Sequence, residues 1–156
     1  MPGTKTDDAR WLDEGEMSAW LPLLRVVQLL PQALDRQLRE QAGVNHVYYM
    51  LLAILSAQPD GRLPLTELAR AAETSQSRTS HAVTAIAGRG WVTRTPCPTD
   101  RRVQYVQLTD AGMAVLEQNA PGHAAEVRRL VFDRLDPDDV DRLRSIALKL
   151  LTPLDA

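Results

Sequence analysis

Residues 91–112, WVTRTPCPTDRRVQYVQLTDAG, decide how this chain folds, because they read as strand, charged turn, strand and helix start in one run. Trp91-Val92-Thr93 and Val103 to Leu108 are rich in β-branched and aromatic residues, and the second run alternates apolar with polar positions. Between them, Pro96 and Pro98 break regular structure and leave Arg101 and Arg102 adjacent at an exposed tip. A rigid hairpin that projects arginines suits a phosphate backbone or a minor groove.

Working upstream, the segment before the hairpin reads as two helices joined by a very short turn. Thr66 is expected to cap the first, Glu67 to Ala72, and Thr74 or Ser75 the second, which runs to Ala87 and is closed by Gly88 and Gly90. Leu68, Ala72, Thr79, Val83 and Ile86 fall on the shared side. The other side of the second helix carries Gln76, Ser77, Arg78, Ser80, His81 and Thr84. Arginine pairs bidentately with guanine and glutamine with adenine, while serine and histidine reach bases or phosphates. No acid occurs between Gln76 and Thr99, as a surface facing a polyanion requires, whereas an ordinary solvated face carries Glu and Lys. Helix, turn, helix and hairpin make a winged helix-turn-helix. Glu73 occupies the turn position where glycine is common.

The outer segments read as helices. Trp20, Leu21, Leu24, Val27, Leu30, Leu34 and Leu38 recur at spacings of three and four within a helix from Glu14 to about Ala42, with Pro31 expected to kink it. Asn45 is expected to cap a helix through His46–Leu55 that is apolar on nearly every side and so central to the core. After the hairpin, Thr109 or Asp110 starts a helix expected to break near Pro121-Gly122 and resume to about Leu135. Asp136-Pro137 then begins the last helix, to about Leu151. The fold class expected is mainly α with a small β-hairpin wing. Residues 1–45 and 110–156 form N- and C-terminal dimerisation helices, and residues 46–109 form the DNA-binding lobe.

Composition agrees. The 156 residues are one domain's worth, with 44% apolar residues and no apolar run long enough to span a bilayer, so no membrane association is expected. The acidic, polar first sixteen residues do not read as a secretory signal and the single cysteine allows no internal disulfide, which makes the cytoplasm the expected compartment. The net charge of −2 conceals an uneven distribution. Residues 62–109 hold seven arginines against Glu67, Glu73 and Asp100, and both flanks are net acidic. Acidic flanks would repel DNA and help orient the protein on it. His46, His81 and His123 lack metal-ligand spacing with one another or with Cys97, and neither a Gly-x-Ser-x-Gly elbow nor a phosphate-cradling glycine loop is present. No catalytic residue, metal or cofactor is therefore expected, and the protein does not read as an enzyme.

Thr99-Asp100-Arg101-Arg102 followed by Leu108-Thr109-Asp110-Ala111-Gly112, with Leu65-Thr66-Glu67-Leu68-Ala69 and Gln76-Ser77-Arg78-Thr79-Ser80, resembles the MarR family (multiple antibiotic resistance regulators) nearly end to end. The resemblance implies a homodimer with intertwined terminal helices, a recognition helix in the major groove and a wing in the minor groove. It also implies small ligands bound between the dimer helices and the DNA-binding lobe. The chain departs from the family pattern at Val103, where many members have glycine. The expected function is a repressor, released from a palindromic operator by a small aromatic or phenolic effector. The expected DNA contacts are Gln76, Ser77, Arg78, Ser80, His81, Thr84, Asp100, Arg101 and Arg102, with Asp100 pairing one arginine. Trp11, Trp20, His46, Tyr48, Tyr49 and Met50 read either as effector-pocket walls or as dimer core. Arg101 and Arg102 are expected to favour a Cys97 thiolate, but the cysteines with which some relatives sense peroxide lie near the dimer helices. The alternative function is a winged-helix protein-interaction or dimerisation module without DNA binding.

Overall fold

A computed structural model describes residues 11–100 and 102–154. The chain divides into two compact units, Met1–Ala33 and Leu34–Ala156. The first unit holds most of the long helix α1 (Glu14–Ala42), which runs unbroken through Pro22 and Pro31. Its large apolar side chains stand open to solvent: Trp11, Leu12, Met17, Trp20, Leu21, Leu23, Val26, Val27 and Leu29 are all exposed.

The second unit contains the end of α1, then α2 (His46–Ser56), β1 (Arg62–Pro64), α3 (Leu65–Ala71), α4 (Gln76–Gly88), β2 (Val92–Pro96), β3 (Gln104–Leu108), α5 (Asp110–Leu130), a 3-10 turn at Phe132–Arg134 and α6 (Pro137–Leu151). Leu38, Leu51, Leu52, Leu55, Leu68, Val83, Ile86, Val92, Val106 and Leu116 form one continuous core. The buried side of α2, with Tyr49, Leu51, Leu52 and Leu55, is the one about which α3, α4 and α5 pack, whereas Val47 and Met50 stay exposed, so the helix is central to the core on that side and not all round as expected. Asn45 caps it as expected, accepting the Tyr48 backbone N–H at 2.8 Å.

The sheet is three-stranded and antiparallel in the order β1-β3-β2, with Leu63 opposite Val106 and Arg94 opposite Val106 from the other side. β1 is absent from the sequence reading, because three residues ending in proline carry no periodic signal and their partner lies some forty positions downstream. Its presence also corrects the start of α3. Pro64, in extended geometry (φ −58°, ψ 143°), leads straight from strand into helix, so Thr66 lies inside the first turn and does not cap. Ser75 caps α4 by accepting the Arg78 N–H at 3.3 Å.

The second correction concerns α5, which does not break at Pro121-Gly122 but continues from Asp110 to Leu130. A mid-helix proline forfeits one hydrogen bond, at roughly 3 kcal/mol. Packing on both sides holds the helix across it: Leu116 is buried in the core, and the His123 ring lies 4.6 Å from that of Tyr49. Thr109 caps this helix, donating its hydroxyl to the Gly90 carbonyl (2.7 Å) and accepting the Gly112 N–H (3.1 Å). Asp136 caps α6, with Pro137 in the first turn. No residue of α6 is buried.

Candidate nucleic-acid interface

The polar face of α4 follows from its periodicity. Thr79, Ala82, Val83 and Ile86 are buried, so Gln76, Ser77, Arg78, His81 and Thr84 emerge exposed, with Ser80 half-buried among them. Gln76, Ser77, Ser80 and His81 border one open depression of about 430 Å³, together with Leu65 of α3. The structure thus brings the sequence-predicted helix residues onto one face.

The turn bracing α4 against α3 is an αL helix end. Glu73 has φ +50°, the only positive φ of a non-glycine among the described residues, and Thr74 N–H donates to the Ala69 carbonyl at 3.1 Å. The unusual residue noticed in the sequence therefore sits where glycine is conformationally favoured.

The wing is β2, its tip and β3. The ladder extends one pair beyond the strands, with Cys97 N–H donating to the Val103 carbonyl at 2.9 Å. Val103 N–H donates to the Asp100 carbonyl at 3.0 Å. Val103 thus keeps both backbone groups bonded without left-handed geometry, and the glycine usual here is dispensable. Asp100 accepts the backbone N–H of Arg102 at 2.9 Å. It fastens the turn through the main chain, as an aspartate at a turn does; the expected pairing with an arginine side chain involves Arg101 as one candidate. Arg102 is exposed at the tip, and Arg101 lies outside the described residues. The Cys97 thiol is held below its ordinary range chiefly by the Thr99 hydroxyl, 3.2 Å away, and by the backbone of Thr99 and Asp100. Among the described residues the cause is this hydrogen bonding, and Arg102 is not among its sources.

The arginines of residues 62–109 divide by position. Arg62 stacks on Tyr105 at 3.9 Å from the ring centroid. Arg89 lies 4.9 Å from the Trp91 ring and donates to the Gly43 carbonyl at 3.4 Å, so both are engaged with neighbouring side chains or backbone. Arg94 enters the sequence reading only as one of the seven arginines of residues 62–109, with no role of its own. It reaches from β2 to α4, where Nη1 donates to Thr84 Oγ1 at 3.1 Å. Only the packing of the wing on the recognition helix reveals that contact.

The residues read as effector walls occupy different places. Trp11 is exposed in the first unit, where Trp20 lines an apolar hollow with Leu12, Glu16, Ala19 and Leu23. In the second unit, His46 and Met50 share a cleft of about 300 Å³ with Val47 and residues 71–74. Tyr49 is buried against His123, and Tyr48 packs on the core. Burial holds His46 and His123 below their ordinary value, although the Asp35 charge raises His46 in part. Among the described residues, no cluster of His, Cys, Asp or Glu is arranged to hold a metal, and no helix is long and apolar enough to cross a membrane.

An exposed acid-free helix face beside an arginine-bearing hairpin is the geometry of a winged-helix DNA reader. Residues 42–103 match the MarR family profile. The chain is 44% identical to Sco3205, a MarR family transcriptional regulator from Streptomyces coelicolor solved in complex with DNA; the match covers 97% of this chain and 94% of that one, with a TM-score of 0.91. It is 35% identical to AbsC, another MarR family regulator from Streptomyces coelicolor, over 94% of this chain and 96% of that one, with a TM-score of 0.84. It is also 29% identical to the transcriptional repressor MprA of Escherichia coli (strain K12), across 78% of this chain and 68% of that protein. Fold, interface and sequence thus agree that the chain belongs to the MarR family of transcriptional regulators.

Proposed function

We propose that the protein is a sequence-specific transcriptional repressor that binds a palindromic operator as a homodimer, acts in the cytoplasm without enzymatic activity, and is released by a small aromatic or phenolic effector. The observation that carries the reading is the α4 face. Gln76, Ser77, Arg78, Ser80 and His81 lie together, free of acids, beside a wing carrying Arg94 and Arg102. A protein-interaction module has no need of an acid-free helix flanked by arginines, and DNA binding is favoured over it.

Dimerisation is supported by α6, whose Leu143, Ile146, Leu150 and Leu151 are exposed on a helix with no buried residue. A patch of this kind is costly in water and marks an interface. Residues 1–45 and 110–156 are accordingly the dimerisation arms and residues 46–109 the DNA-binding lobe. For the effector, the cleft containing His46 and Met50 has the favoured position, because it abuts the α3–α4 turn that sets the pose of the recognition helix.

Selection from a random duplex pool tests the reading. Recovery of a two-fold symmetric site is expected, bound by a species of twice the chain mass in sedimentation. Inserting about five base pairs between half-sites puts them on opposite DNA faces and should abolish tight binding. Arg78→Ala should cost roughly 1–3 kcal/mol and relax preference at one base pair. Failure to select any duplex, or a monomer that binds as tightly, overturns the reading.

A further inference from the structure

We infer that Arg94 is a DNA-contacting residue, seated by Thr84 and directed at the backbone phosphate between the groove read by α4 and the groove entered by the wing. The inference rests on the DNA-binding reading and adds a contact to it. A threonine hydroxyl has one hydrogen to donate and two lone pairs. In Thr84 the hydrogen goes to the Ser80 carbonyl (2.9 Å) and a lone pair takes Arg94 Nη1 (3.1 Å). Thr84 thus has no donor left for a base edge, and its place on the exposed face is that of a bracket. The guanidinium it holds has five N–H groups in a fixed fork, and among the described residues one of them is committed, to Thr84.

Position supplies the target. Arg94 is the central residue of β2 and is exposed, while Thr84 lies two turns along α4 from Gln76. The cation therefore stands where wing and recognition helix meet. A duplex entered by the helix in one groove and the wing in the next presents its sugar-phosphate strand at that junction. A long side chain already held in place also loses less freedom on binding. Purely structural bracing of wing against helix would use the same hydrogen bond but would release no counterions on DNA binding.

Salt dependence separates the two. The probe is the duplex selected with the wild-type protein, titrated between about 50 and 200 mM salt. Loss of one phosphate contact lowers the slope of log K against log salt by about 0.9, so the Arg94→Ala penalty should shrink about 3.5-fold across that range. Arg94→Gln keeps a donor for Thr84 without the charge and should lose the same slope; it serves if the alanine variant does not fold. Arg94→Lys should retain the slope. Thr84→Val should weaken binding with unchanged slope and unchanged base preference. An unaltered slope in both Arg94→Ala and Arg94→Gln while the wild type binds normally overturns this inference alone, as does a changed base preference in Thr84→Val. Absence of wild-type binding to any duplex overturns the DNA-binding reading and this contact with it.

Discussion

Gly112 and Gly88 make a paired test of the structure, because the same substitution should act in opposite directions. Gly112 is buried near the start of α5, and a Cβ placed there runs into the Trp91 carbonyl oxygen, with Leu108 Cδ1 at 2.7 Å and the Trp91 carbonyl carbon at 3.0 Å. Carbon atoms rest about 3.5–4.0 Å apart, so these two carbon contacts are short by roughly 0.5–1.3 Å. The principal obstacle is backbone, and no rotamer change relieves it. That carbonyl also accepts the Thr109 N–H at 3.1 Å, beside the α5 cap, so displacing it strains a second bond. Overpacking costs about 1–3 kcal/mol, a weakened hydrogen bond about 1, and the better helix propensity of alanine returns about 1. The net expected for Gly112→Ala is about 1–3 kcal/mol of destabilisation, a fall in Tm of about 2–12 °C for a domain of this size. Around Gly88, the last residue of α4, a Cβ meets nothing within 4 Å. Gly88→Ala should therefore stabilise by about 0.5–1 kcal/mol. Thermal and urea unfolding at one fixed protein concentration measures both, since dimerisation makes Tm depend on concentration. A Gly112→Ala protein within about 0.5 kcal/mol of wild type would refute the close packing of α5 on the base of the wing.

Glu73→Gly should stabilise by about 0.5–1 kcal/mol, because αL geometry costs a non-glycine residue roughly 1–2 while glycine's unfolded-state entropy gives part of that back; unchanged or lower stability in urea would count against strain at this turn. Asp100→Ala should weaken DNA binding although it removes a negative charge, and Asp100→Asn, which keeps an acceptor for the Arg102 N–H, should restore it. Tighter binding by Asp100→Ala in a salt titration would make the aspartate a plain repulsive charge. Folded-state pKa values of His46 and His123 are depressed below 6.5, so the unfolded chain takes up protons first. Their stabilising effect is complete above about pH 6.5 and is lost as pH falls toward the folded values. Asp35 of α1 accepts the His46 backbone N–H, and the His123 ring is faced by Gln37 from α1 and by His46 and Tyr49 from α2. The fall in Tm from about pH 7.5 to about 5.5 should be smaller in His123→Gln, and an equal fall in both proteins would dismiss the pair as the cause.

Local chemistry wrote much of this protein into its sequence. Asn45, Ser75, Thr109 and Asp136 act as caps because a side-chain oxygen two or three residues before a free N–H needs nothing distant to find it. The face of α4 was legible for the same reason, since 3.6-residue periodicity sorts Thr79, Val83 and Ile86 from Gln76, Ser77 and His81. The wing was legible from the β-branched runs at 91–93 and 103–108 and the proline-bounded turn between them. What stayed illegible depends on partners far apart in the chain. β1 exists because Leu63 finds Val106, and Thr66 loses its role as a cap because that strand feeds directly into α3. Pro121 was read as a break because proline removes a hydrogen bond, and the break was averted by packing of Leu116 and His123 that no window around residue 121 contains. The Thr84–Arg94 contact spans strand and helix, so each residue taken alone looked like a base reader or a bystander. Sequence fixes what each short segment can form; tertiary structure decides which polar groups spend their hydrogen bonds on one another and which remain for DNA, because that depends on distances between elements that only the assembled core sets.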